Sequence, residues 1–282
     1  MCKTVRVTTP IVQDLDGVKR KPTLWLALLV FVGYLGVVIG ANLVFASYFD
    51  FGDVVTSAEH TRDGVFLPVL CASIYLTVVT TMLGWWRPAL FEPRRRVALP
   101  KWLWLIPVLA LLGPVLDIWR SDHRSEFTGA HWFWIITGFA LVGYSEELVT
   151  RGLLLVGART AMVEEWAATV CAVLFGLMHG SNLLFGQDAK TTLAQVVSTI
   201  PMGVLLYLCR RISGTLVVPM VIHALYDIGL VVFGGPNTPM NQIDTEVARP
   251  VGALLALVLG IVALIAYRTQ LFKSIDDLAT AD

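Results

Sequence analysis

The chain has 282 residues, 56% of them hydrophobic and only 15% charged, with a formal net charge of zero. Soluble domains carry about 25% charged residues, so this composition excludes an ordinary soluble domain. The absence of a basic excess also speaks against a nucleic-acid partner. What remains is an all-α chain built for the lipid bilayer.

A membrane-crossing helix needs about 20 mostly apolar residues. Taken in chain order, eight such runs occur, over 23–46, 65–86, 102–119, 132–156, 166–186, 192–209, 213–234 and 250–267. The first 22 residues are polar, and the run after them is too long for the apolar part of a signal peptide, so it reads as a retained span. The third run holds Pro107 and Pro114 and is expected to kink. The sixth is the least apolar and holds Pro201.

Eight spans place both termini on one side. Sixteen of the 21 Lys and Arg then fall on that side, in the segments 3–21, 87–101, 151–159, 210–211 and 268–273, and five on the other. Cytoplasmic segments carry the excess of Lys and Arg, so both termini are expected in the cytoplasm. The chain divides into a cytoplasmic segment 1–22, three spans and loops over 23–130, a core over 131–235, and a last span with a short tail over 236–282. Cys2, Cys71, Cys171 and Cys209 form no C-x-x-C pair and imply neither a disulfide framework nor a zinc–cysteine site.

Ionisable residues away from the span ends are confined to three helices. The fourth span has Glu146, Glu147 and Arg151, the fifth His179, and the seventh His223 and Asp227. Each charge at mid-bilayer costs about 2.5–3.5 kcal/mol on insertion scales, so such groups face the bundle interior and are functional candidates. Glu147 and Arg151, Phe175 and His179, and His223 and Asp227 are all i, i+4 pairs, one helical turn apart on one face. Counting residues along each helix puts these groups from mid-depth towards the cytoplasm, and the site is expected to open there.

Two chemistries suit this set. A carboxylate kept from bulk water is an effective base for a water molecule, and a histidine N–H can stabilise an oxyanion. Alternatively Glu146, His179 and His223 could hold zinc, although H-E-x-x-H is absent and the ligands would come from three helices.

The spacing E-E-x-x-x-R at 146–151, F-x-x-x-H at 175–179 and H-x-x-x-D at 223–227 resembles the CPBP family of intramembrane proteases. That family includes the CAAX prenyl endopeptidases and bacterial relatives tied to bacteriocin processing and immunity. The resemblance covers roughly residues 130–235 and is specific as a set, whereas the first motif alone is weak. It implies a peptidase acting on a peptide or membrane-protein substrate, without a metal cofactor. Glu146 would activate water, with His179 helping to place it. His223 and residue 227 would stabilise the oxyanion, and Glu147 and Arg151 would support the site. The prenyl endopeptidases usually carry Asn where this chain has Asp227, and an ionised Asp cannot donate to an oxyanion.

Other readings compete. Glu146 and Glu147 could belong to a buried ion network that only holds helices together. Buried Glu and His also suit a proton-coupled carrier, although no inverted repeat is visible, and a non-catalytic immunity or scaffold protein could keep the motifs. Phe175 reads as packing against the site. The run Arg94–Arg96 reads as a topology signal, "WLW" at 102–104 and "HWFW" at 131–134 as interfacial belts, and His60, His123 and His131 as loop or interface residues. The compact chain looks like a multi-pass protein of a bacterial plasma membrane.

Overall fold

A computed structural model describes residues 17–92, 100–240 and five positions between 258 and 265. Among them the regular structure is helical, apart from one isolated bridge between Phe91 and Thr215. Seven helices run between two faces: α1 Leu24–Phe45, α2 Ala58–Leu83, α3 Lys101–Arg120, α4 over 129–158, α5 Glu164–Phe185, α6 Ala189–Ser213 and α7 Val217–Gly234. All but α4 are long and apolar enough to cross a membrane. The chain is thus a multi-pass integral membrane protein. The expected eighth span and the Arg94–Arg96 run lie outside the described residues, except for helical positions at 258, 260–262 and 265.

Local chemistry sets the ends. Thr23 caps α1 by accepting from the Leu26 N–H, and Asp188 caps α6 by accepting from Lys190 and Thr191. Helices α2 and α6 stop at Gly84 and Gly214, both at positive φ. Pro114 lies within α3, which runs on to Arg120. Helix α2 starts at Ala58, a turn or more before the expected 65, so Asp63 lies inside it, accepting from Tyr48 Oη at 2.5 Å and pairing with Arg62. His131, expected at an interface, is instead buried with its Nε2 3.1 Å from Thr61 Oγ1.

The helices pack α1 on α2, α4 on α2 and α7, α5 on α6, and α7 on α3. In lipid such contacts rest on close van der Waals fit rather than on expulsion of water, and small residues allow the approach. A Cβ on Gly143 of α4 would lie 2.5 Å from the Met220 carbonyl and 3.0 Å from the Ala224 N of α7. On α5, a Cβ at Gly176 would meet the Val196 carbonyl of α6 at 2.8 Å.

The near face carries residues 17–23, 84–92, 158–164 and 213–217. Lys19 and Arg20 N–H groups bond Leu83 O, and Glu92 N bonds Gly214 O. Here Glu92 accepts from Arg159 at 3.0 Å, Arg210 at 2.7 Å and also Arg211. Arg159 reaches Glu164, which also accepts from Tyr207 Oη at 2.6 Å. Arg210 donates further to the carbonyls of Ala89, Pro88 and Arg151. Burial alone would push the Glu92 carboxyl up, but Arg159, Arg211 and Arg210 outweigh it and hold it well below the usual carboxylate range. The far face carries 46–57, 121–128, 186–188 and 235–240, tied by Ser121 Oγ donating to Val232 O at 2.6 Å.

Candidate active site

Three of the helices bring the sequence candidates together. Helix α4 is regular through Glu147, then widens into a π-helical stretch, Leu148–Leu154, before a last α-turn Leu155–Ala158. Such π segments recur at functional sites. The two glutamates sit just before the widened turn and Arg151 within it. Because Gly143 lets α4 lie against the backbone of α7, Glu147 one turn later meets His223.

His223 Nδ1 is 3.0 Å from Glu147 Oε1, and Arg151 Nη1 is 2.9 Å from the same oxygen. Glu147, Arg151, Phe175 and His223 are all buried. The Arg151 guanidinium lies 3.8 Å above the centre of the Phe175 ring, a cation–π contact. Phe175 in turn meets the rings of His179 and His223 edge-on, at 5.2 and 5.6 Å between centroids. So Phe175 joins Arg151, His179 and His223 across three helices.

The second layer faces open space. His223 Nε2 is 3.8 Å from Glu146 Oε2 and 3.6 Å from Asp227 Oδ2, both beyond direct hydrogen bonding. Among the described residues Glu146 Oε2 has no hydrogen-bond partner, and neither do Glu147 Oε2 and the Nε and Nη2 of Arg151. His179 sits where α5 tightens into a 3-10 stretch, His179–Phe185, and its Nδ1 bonds the Phe175 carbonyl at 2.8 Å. That bond makes Nδ1 the protonated nitrogen of a neutral ring and leaves Nε2 as an acceptor.

A cavity of about 520 Å³ connects these groups to one face. Glu146, His179, His223 and Asp227 line it, together with Asn42, Asn182 and Gln195 and with apolar residues that include Val38, Val65, Phe139 and Val142. Its remaining lining comes from the far-face loops, Ala46 to Val55 and Leu184 to Gly186. None comes from the near face. The expectation that the site opens to the same side as the termini is therefore corrected. Counting along helices gave depth but not direction, and on the near-face side Glu147, Arg151 and the arginine cluster fill the space.

Seven residues named from the sequence, Glu146, Glu147, Arg151, Phe175, His179, His223 and Asp227, thus fall within one neighbourhood. Among the described residues no three His, Cys, Asp or Glu side chains stand where they could share a metal ion. Reading along the sequence missed Asn42, Asn182 and Gln195, which give no motif signal, and it counted Arg159, Arg210 and Arg211 only as topology charges.

Residues 128–229 match the family described as Type II CAAX prenyl endopeptidase Rce1-like. All three motifs lie inside that stretch. The match is consistent with an intramembrane protease of the CPBP family and supports a CAAX-type membrane peptidase acting on a peptide or protein substrate. No curated protein and no solved structure matches the chain.

Proposed function

We propose that this protein is an intramembrane endopeptidase in which Glu146 activates the attacking water and no metal takes part. The observation that carries the reading is Glu146 Oε2. It is a carboxylate oxygen on the wall of the cavity, without a partner among the described residues, 3.8 Å from His223 Nε2. A water held there reaches both groups, and His179 lines the same cavity.

The chemistry follows from the groups present. Glu146 takes a proton from the water as the oxygen attacks the scissile carbonyl carbon. The carbonyl oxygen becomes an oxyanion. His223, with its Nδ1–H given to Glu147, turns Nε2 to the cavity, and in the doubly protonated ring that nitrogen donates to the oxyanion. The C–N bond then breaks as Glu146 returns its proton to the leaving amine. Arg151 and Phe175 act through others: Arg151 holds Glu147, and Phe175 packs the two imidazoles. Asp227 lies 3.6 Å from His223 Nε2 and in its acid form donates a second hydrogen bond.

The test is cleavage of a pooled peptide library by the protein in lipid nanodiscs, read by mass spectrometry, with Glu146→Gln as control and with and without a chelator. Cleavage that needs Glu146 and ignores chelator is expected. Normal cleavage by Glu146→Gln sinks the proposal, and loss with chelator replaces it with a metal mechanism. A carrier would instead show substrate-dependent proton flux in liposomes.

A further inference from the structure

The cavity and the charge pattern together say from which side the substrate comes. The cavity is lined by far-face loops and by the far halves of the helices, and no near-face residue contributes to it. The near face, in contrast, is the basic one. Among the described residues Lys19, Arg20, Lys21, Arg87, Lys101, Arg159, Arg210 and Arg211 stand at or beside it. Only Arg62, Arg120, Arg124 and Lys190 stand at the far face. The tally over the whole sequence, sixteen against five, leans the same way. Short loops rich in Lys and Arg stay in the cytoplasm, so the near face is cytoplasmic and the mouth is not.

Among the described residues, side chains fill the near side beneath the site. Arg151 and Glu147 form the floor, and under them Arg210 donates to the Arg151 carbonyl while binding Glu92. The lining adds a chemical constraint. Its described residues include Asp50, Glu146 and Asp227 but no Lys or Arg, between apolar walls. A free C-terminal carboxylate would find no lysine or arginine there to hold it.

We infer that the protease works on polypeptide reaching it from the extracytoplasmic side: an exported peptide, or the outer segment of a membrane protein, cut at an internal bond flanked by apolar side chains. This rests on the peptidase reading of the same site, but its test does not use activity. Single cysteines are placed in the full chain after Cys2→Ser and Cys71→Ala, leaving Cys171 and Cys209, which are buried. Ser47→Cys and Ala189→Cys mark the exposed far face and Thr160→Cys the exposed near face. Intact cells are treated with a membrane-impermeant maleimide before and after permeabilisation. Labelling of Ser47→Cys and Ala189→Cys in intact cells, with Thr160→Cys labelled only afterwards, is expected. The reverse order, or equal labelling of both faces in intact cells, overturns the inference and leaves the question of catalysis to Glu146→Gln.

Discussion

Gly143→Ala tests whether catalysis depends on how closely α4 lies on α7. The added Cβ would sit 2.5 Å from the Met220 carbonyl oxygen. Ordinary van der Waals contact begins near 3.4 Å, so the two backbones must part by about 0.9 Å. The His223–Glu147 hydrogen bond is 3.0 Å long and one turn away, and that shift carries it past 3.5 Å. A misplacement of about 1 Å costs on the order of 100-fold in rate, equal to ~2.7 kcal/mol of barrier. Stability moves less, because overpacking costs about 1–3 kcal/mol and Ala for Gly in a helix returns up to ~1 kcal/mol. The assay is kcat on the best peptide from the library, beside Gly36→Ala, a position on α1 with nothing within 4 Å. A Gly143→Ala rate within about twofold of the parent would show that the close approach does not position His223.

Glu146→Gln, nearly isosteric, should lower cleavage by about 10²–10⁴-fold while the purified protein keeps its melting temperature. Asp227→Asn, which keeps a donor, should stay within about tenfold, whereas Asp227→Leu should lose about 10²–10³-fold. Parent-like cleavage by the Leu variant would remove Asp227 from the site. Glu92→Gln leaves three guanidinium groups without their shared anion and should destabilise the fold by about 3–5 kcal/mol, read as a lower melting temperature in nanodiscs. The pH dependence has a definite sign. The folded Glu92 value is held below the ordinary 4.5. Its contribution is therefore complete above about pH 4.5 and is lost as pH falls through the lower, folded value. The parent should lose stability in that window, and Glu92→Gln should not share that loss. An equal acid response in both would move the effect to other carboxylates.

The candidate site was legible in the sequence because lipid makes charge conspicuous. Glu146, His179 and His223 stand out where every neighbour is apolar, and i, i+4 spacing on three helices is hard to meet by accident. The helices were legible for the same reason, although their ends were not. The second span starts at Ala58 because Ser57 caps it, and polar Asp63 and Arg62 hid that turn from a count of apolar residues. The direction of the cavity could not be read at all. It depends on which loops fold over the bundle and on the filling of the near side by Arg210 and Glu92, residues 118 positions apart. No local pattern marks such a pair. Gly143 likewise gives no signal until α7 is laid against it.

The fourth helix has a consequence for how the protein is made. Among the seven described helices it is the one whose composition does not mark it as a membrane span, and it holds Glu146, Glu147 and Arg151. Their partners are synthesised later: Arg210 for the Arg151 carbonyl, 59 residues on, and His223 for Glu147, 76 residues on. While the ribosome is still building α5 and α6, Glu147 and Arg151 have only each other within the bilayer. We expect the full insertion of α4 to follow that of α7. Nascent chains that end before His223 should leave α4 at the membrane surface, open to added protease, whereas chains that extend past Gly234 should draw it in.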